Sequence, residues 1–155
     1  MNGAAAGGGL GLALAADYRI AIPQTKIAAA FFSLGLSPDG GTTWLLPRLV
    51  GQQRAKKFFF NNETWTGEEA LELGVIDELA ELDDLILRSL KVAISWGKWA
   101  KSSRAGTKQL LDSQFYNDFE TQLSREQEGI VGASQTEDFS EGVDAFLEKR
   151  NPDFQ

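Results

Sequence analysis

The chain has 155 residues, 43% of them hydrophobic and 24% charged, with a formal net charge of −7. That balance describes a folded domain with a real core rather than a disordered segment. The acidity argues against a nucleic-acid binder, which carries a basic face. Cysteine and histidine are both absent. This excludes disulfides, thiol nucleophiles, Ser-His triads and the common zinc sites, and leaves acid–base chemistry to Asp, Glu, Lys or Tyr.

The chain opens on Met1-Asn2-Gly3-Ala4-Ala5-Ala6-Gly7-Gly8-Gly9. Glycine runs let a ligand approach the backbone closely, and a helix beginning just after one leaves N–H groups without intrahelical acceptors. Gly9 to Ala16 predicts a short buried helix, because its leucines and alanines leave no polar face. Leu10 to Ala16 is far short of the ~20 residues that cross a bilayer. The start has no basic segment of the kind that opens a signal peptide. Together with the missing cysteines, this gives the expectation of a cytoplasmic protein that binds neither membrane nor nucleic acid. Tyr18 to Ala21 and Lys26 to Ala29 predict strands around the turn at Pro23-Gln24. Asp17, a lone acid after an apolar helix, reads as a turn-fixing side chain.

Phe31 to Leu36 is a third apolar run, ended by Ser37-Pro38-Asp39-Gly40-Gly41, where Pro38 disfavours helix at Ser37. One carboxylate, Asp39, stands at the tip of this second glycine turn. Two glycine turns, one bearing a lone acid, suggest an anion hole and a proton carrier. Thr42 to Val50 is helical in its apolar spacing and Gly51 stops it.

A further helix is predicted over Gln53 to Phe60. Thr66-Gly67-Glu68-Glu69 has the form of a capping box, opening a helix that ends at Gly74 before a short strand at Val75-Ile76. Four helical segments follow, near Asp83 to Trp99, Ser103 to Leu111, Asn117 to Val131 and Asp138 to Arg150. Lys98, Lys101, Arg104 and Lys108 form the most basic stretch and read as a solvated helix face. Trp96, Trp99, Phe115 and Phe119 read as core or subunit contacts.

Five of these segments, with the closing Glu141-Gly142-Val143-Asp144-Ala145-Phe146-Leu147-Glu148-Lys149-Arg150, share a pattern. The five are Asn2 to Gly9, Asp17-Tyr18-Arg19-Ile20-Ala21, Pro38 to Gly41, Pro47-Arg48-Leu49-Val50-Gly51 and Thr66 to Ile76. In order and spacing, almost end to end, they resemble the crotonase superfamily, the enoyl-CoA hydratases and isomerases. The resemblance implies an α/β fold: an incomplete crotonase-like ββα spiral over residues 1–80, then a helical trimerisation region over 81–155, as one continuous family domain. The family's early strands, its first oxyanion donor and part of its CoA-binding surface would lie upstream of the motifs present here. A chain starting at Met1 would then set a charged amine beside the core and leave sheet partners absent, so strong self-association is expected.

The resemblance also implies the chemistry. Family members stabilise a thioester enolate between two backbone N–H groups, one of which would come from Gly8. Hydratases carry one glutamate just after the glycine triplet and another in the third apolar run; those positions here are Gly11 and Phe31. Asp39 falls where relatives that move double bonds carry an aspartate, the phenylacetate-pathway type of isomerase among them. The implied activity is enoyl-CoA isomerisation with Asp39 as proton carrier. Gly7, Ala30, Phe31, Leu34 and Gly40 would line the substrate site, and Lys149 and Arg150 would meet CoA phosphates. No metal or separate cofactor is implied, coenzyme A being part of the substrate. The implied partners are an acyl-CoA or enoyl-CoA and further copies of the chain, as a homotrimer or hexamer. Two alternatives stand: a hydratase with replaced acids, and a non-catalytic acyl-CoA-binding or assembly subunit. Asp39 could otherwise cap the helix starting near Thr42, and Lys149 and Arg150 could otherwise balance a helix dipole.

Overall fold

A computed structural model describes residues 1–154. Its strands are only two or three residues long, because glycines, prolines and charges interrupt the apolar runs of the first half. Strand β1 (Ala5–Ala6) leads through Gly7 into helix α1 (Gly8–Leu14). β2 (Ile20–Ala21) and β3 (Lys26–Ala28) follow, then a single 3₁₀ turn at Phe32–Leu34. Helices α2 (Thr42–Val50) and α3 (Gln52–Phe60) come next, joined at Gly51, which terminates the first as its sequence predicts. β4 (Thr64–Thr66), α4 (Gly67–Glu72) and β5 (Glu78–Leu79) complete the α/β part, and α5 (Leu85–Gly97) leaves it.

The strands on either side of Pro23 do not pair with each other. β3 is the centre of a three-stranded sheet, parallel to β1 and antiparallel to β4, whereas β2 pairs in parallel with β5. The expected strand at Val75-Ile76 lies instead at Glu78–Leu79. The Val75 and Ile76 N–H groups both donate to the Ala70 carbonyl, at 2.8 and 3.1 Å, so they close off α4 rather than join a ladder. Arg19 then fixes the crossing. Its guanidinium donates to the carbonyls of Val75 (2.7 Å) and Ala16 (2.6 Å), and its backbone N–H donates to the Asp77 carboxylate (2.7 Å). Beside it, the Tyr18 hydroxyl donates to Glu78, whose carboxylate also takes the Arg88 guanidinium and is thereby held below its ordinary pKa.

The core is one cluster in which Leu10 and Leu14 of α1, Leu46, Phe58, Trp65 and Ile76 meet. Helix α1 is less uniformly buried than its apolar sequence suggests. Leu10 and Leu14 point inward one turn apart, but Leu12, on the opposite face, is 79% exposed. The capping box at Thr66 forms as expected: the Glu69 N–H donates to Thr66 Oγ1 (3.1 Å) and the Thr66 N–H donates to Glu69 Oε2 (2.7 Å). Thr66→Ala is expected to lower unfolding free energy by about 1 kcal/mol, read from the shift in urea midpoint at unchanged slope.

The chain divides into two compact units, Met1–Leu90 and Lys91 onward, with the boundary inside α5. The second unit carries α6 (Lys101–Ser113), α7 (Phe119–Ala133) and α8 (Glu137–Glu148), near the predicted bounds. Asp118 and Thr136 cap α7 and α8 through side-chain oxygens. Trp96, Trp99, Phe115 and Phe119 lie on the surface of the chain rather than in its core. Lys98, Lys101, Arg104 and Lys108 are exposed, as a solvated face requires. The Met1 amine donates to the Ile20 carbonyl, and partial burial lowers its pKa.

Candidate active site

The site is built where the start of α1 meets the turn before α2. β1 ends in Gly7, whose N–H donates to the Ala28 carbonyl (3.3 Å) and whose φ of 54° turns the chain into the helix. Gly8 is the first residue of α1, so its N–H has no acceptor within the helix. β3 leaves the sheet through Ala30, held at a left-handed φ of 55°, uncommon for a residue with a side chain. That turn carries Phe31 back inward. It is buried, its ring edge 3.9 Å from where a Cβ on Gly7 would stand.

The run after Phe31 does not form a buried element. Phe32–Leu34 is one 3₁₀ turn, with Leu34 72% exposed, Leu36 also exposed, and Phe32 edge-on to Phe60 at 5.6 Å. Of the residues expected to line a substrate site, Gly7, Ala30, Phe31 and Gly40 stand around the glycine turns, while the Leu34 side chain is on the surface.

The second glycine turn lies across the first turn of α1. A Cβ on Gly8 would be 3.5 Å from Asp39 Oδ1, and one on Gly40 would be 3.3 Å from both Cα and O of Gly8. The Asp39 side chain does not cap α2. The N-cap of that helix is Gly41, with no side-chain hydrogen bond. The Asp39 backbone carbonyl does the anchoring instead, accepting from the Thr42 N–H (3.1 Å) and from Thr42 Oγ1 (2.8 Å). Thr42 is fully buried. It is a structural member of the site that the sequence shows only as a helix start. Among the described residues the Asp39 carboxylate has no hydrogen-bond or ion-pair partner, and it is exposed. On α2, the guanidinium of Arg48, one turn after Trp44, stacks 3.2 Å over the Trp44 ring.

An exposed carboxylate beside a glycine backbone with an available N–H can move a proton to and from a carbon whose neighbouring carbonyl is held by that N–H. No acid stands at Gly11 or Phe31. Among the described residues, no group of three or more acidic side chains could hold a metal.

A model of the enoyl-CoA hydratase/isomerase family matches residues 1–155. The chain belongs to that enzyme family. It is 37% identical over 154 residues to the 1,2-epoxyphenylacetyl-CoA isomerase of Escherichia coli K12, covering 99% of this chain and 59% of that protein. It is 39% identical to a probable enoyl-CoA hydratase of Rhodobacter capsulatus, covering 99% and 60%. Its fold superposes on a crystal structure of an enoyl-CoA hydratase/isomerase from Cupriavidus metallidurans CH34 with a TM-score of 0.92 at 36% identity, over 99% of this chain and 58% of that one. The family member described here thus spans about three-fifths of the length of these relatives, and its α/β fold is the crotonase-type fold.

The second unit holds a separate cavity of about 410 Å³, lined mainly by apolar side chains including Ala100, Phe139, Val143, Phe146 and Phe154. None of the residues expected at the site lines it. Nor is Arg150 an open anion site. Its guanidinium donates to both carboxylate oxygens of Glu141 (2.5 and 2.8 Å) and to Glu148 (2.6 Å), so a phosphate reaching it must displace carboxylates. Lys149 is exposed, in a left-handed conformation at the end of α8. The Arg150 guanidinium, with the Asp153 N–H (2.7 Å), holds the Glu141 carboxyl down to about 2. A depressed carboxyl stabilises the clasp above its unfolded pKa of 4.5 and stops doing so as pH falls towards about 2. Hydrogen-exchange protection of the Asp153 amide is expected to fall across that window, and Glu141→Gln should abolish the dependence.

Among the described residues, no helix is long and apolar enough to cross a membrane.

Proposed function

We propose that this protein isomerises enoyl-CoA thioesters, moving the double bond from the 3-position into conjugation at the 2-position. The observation that carries the reading is the Asp39 carboxylate oxygen lying 3.5 Å from the Cβ position of Gly8, with no acid at Gly11 or Phe31. The thioester oxygen accepts a hydrogen bond from the Gly8 N–H. The ionised Asp39 takes a proton from C2, and the electrons of that C–H bond pass into a dienolate whose charge is held at the oxygen. The protonated Asp39 then returns the proton to C4, the charge collapses back, and the double bond ends between C2 and C3. One carboxylate suffices because proton removal and return use the same group at successive carbons. Water addition needs a base for water as well as an acid for the α-carbon.

The name of the E. coli relative supports the isomerase reading, while that of the R. capsulatus relative is a hydratase's. Asp39, with no acid at Gly11 or Phe31, favours the isomerase. In the same reading, no cofactor beyond the substrate's own coenzyme A takes part. Phe31, with Gly7, Ala30 and Gly40, bounds the acyl group. The protein works in the cytoplasm, in fatty-acid-type metabolism, as a homotrimer or hexamer, which sedimentation equilibrium would read directly. Paired assays test the activity. Conversion of 3-enoyl-CoA to the conjugated thioester, without hydration of 2-enoyl-CoA, is the expected result. Formation of 3-hydroxyacyl-CoA from the 2-enoyl substrate alone would establish the hydratase instead. Tight binding of both thioesters with turnover of neither would establish a binding subunit.

A further inference from the structure

We propose that Gly11 is a positioning residue for Asp39, and that its missing side chain is what commits this backbone to chemistry with a single carboxylate. The inference rests on the reading of Asp39 as proton carrier. An ideal Cβ built on Gly11 falls 2.0 Å from the Gly40 carbonyl oxygen, 2.7 Å from its carbon and 3.2 Å from its Cα. All three atoms are backbone, so no rotamer change relieves the overlap. Gly9, in the same helix, has nothing within 4 Å of its Cβ position, so the constraint belongs to position 11 rather than to the glycine run as a whole.

The turn cannot easily rise. On one side Gly40, at φ +60°, packs against the Gly8 backbone; on the other the buried Thr42 holds the Asp39 carbonyl through two hydrogen bonds. A side chain at position 11 must therefore push Gly40 outward and carry the adjacent Asp39 with it. Conversely, the Gly40 carbonyl occupies the space in which an acid at position 11 would begin. Seating the Asp39 turn and carrying a second acid at position 11 are mutually exclusive in this backbone. Placing glutamate at position 11 is thus expected to remove isomerase activity without creating water addition.

The experiment is a double-mutant cycle on the full chain, with kcat and KM measured for 3-enoyl-CoA. Gly11→Ala should lower kcat about a hundredfold, the cost of roughly 1 Å of misplacement, with KM changed less than about threefold. Added to Asp39→Asn, it should cost less than about a further threefold, because the group it positions is already gone. Equal losses in both backgrounds would mean a merely structural role and would overturn the inference, as would efficient hydration of 2-enoyl-CoA by Gly11→Glu.

If Gly11→Ala does not fold, Thr42→Val gives the same reading from the other side of the turn. It removes the hydroxyl tether and should lower kcat in the native background but not beside Asp39→Asn; no fall in the native background overturns the inference. A readout without turnover is the amide resonances of Gly8 and Gly40. These should move in Gly11→Ala and stay in place in Val75→Ala, a core substitution elsewhere in the unit; resonances unmoved by Gly11→Ala would equally overturn the inference. Full turnover by Asp39→Asn alone would remove the proton-carrier reading itself, whereas a deep loss there combined with additive Gly11→Ala removes only the present inference.

Discussion

Asp39→Asn is expected to reduce kcat for 3-enoyl-CoA isomerisation about a thousandfold, within the range that a positioned acid–base group supplies. On the transition-state scale this is about 4 kcal/mol. The substitution is nearly isosteric, and the carboxylate neither caps α2 nor pairs with another described side chain. Folding stability should therefore change by less than about 0.5 kcal/mol, as for a surface residue away from packing features. KM should hold, because in the proposed reaction Asp39 moves the proton while the Gly8 N–H holds the thioester oxygen. The two measurements together separate catalysis from support: a fall in kcat with an unchanged thermal midpoint fits the proton carrier. Loss of both in parallel would assign Asp39 to the turn, and retained turnover would leave the site without its acid.

The sequence shows these pieces unequally well, for physical reasons. Local signals came through. Gly51 stops α2, Thr66 and Glu69 form their reciprocal cap, and α6 to α8 lie near their predicted bounds, because caps and helical periodicity are decided within a few residues. Strand identity did not come through equally, since it depends on distant partners. Ala5–Ala6 and Thr64–Thr66 are strands only because β3 lies between them, and nothing in a dialanine announces that. Val75-Ile76 has strong strand character, yet its N–H groups are taken by the end of α4. At the site, the glycine turns and Asp39 were visible as unusual residues, but their contact across the interval from Gly8 to Asp39 is tertiary. The missing acid at Gly11 was visible too. What fills its place, the Gly40 carbonyl, could be seen only once the two turns were brought together.

The largest effect on stability is expected from Phe58→Ala, at about 3–5 kcal/mol. Phe58 on α3 is wholly buried, its ring centroid 4.2 Å from that of Trp65 on β4 and 5.4 Å from that of Phe59. Truncation removes the transfer energy of a full aromatic side chain and leaves a cavity. It also removes the ring pairing to Trp65, worth about 0.5–1.5 kcal/mol beyond area burial. Trp65 is not free to collapse into the space, because its indole N–H donates to Glu63 (2.9 Å) and its backbone lies in the β3–β4 ladder. At about 2–4 °C per kcal/mol for a chain of this size, the thermal midpoint should fall by roughly 10 °C. Phe60, also on α3 and 72% exposed, supplies the comparison. Its alanine variant should cost under about 1 kcal/mol, since the side chain is mostly exposed and meets Phe32 only edge-on. Similar losses at both positions would mean that α3 is not held by its buried face, and that the Phe58–Trp65 contact is not what ties the helix to the sheet from which Phe31 and the glycine turns are hung.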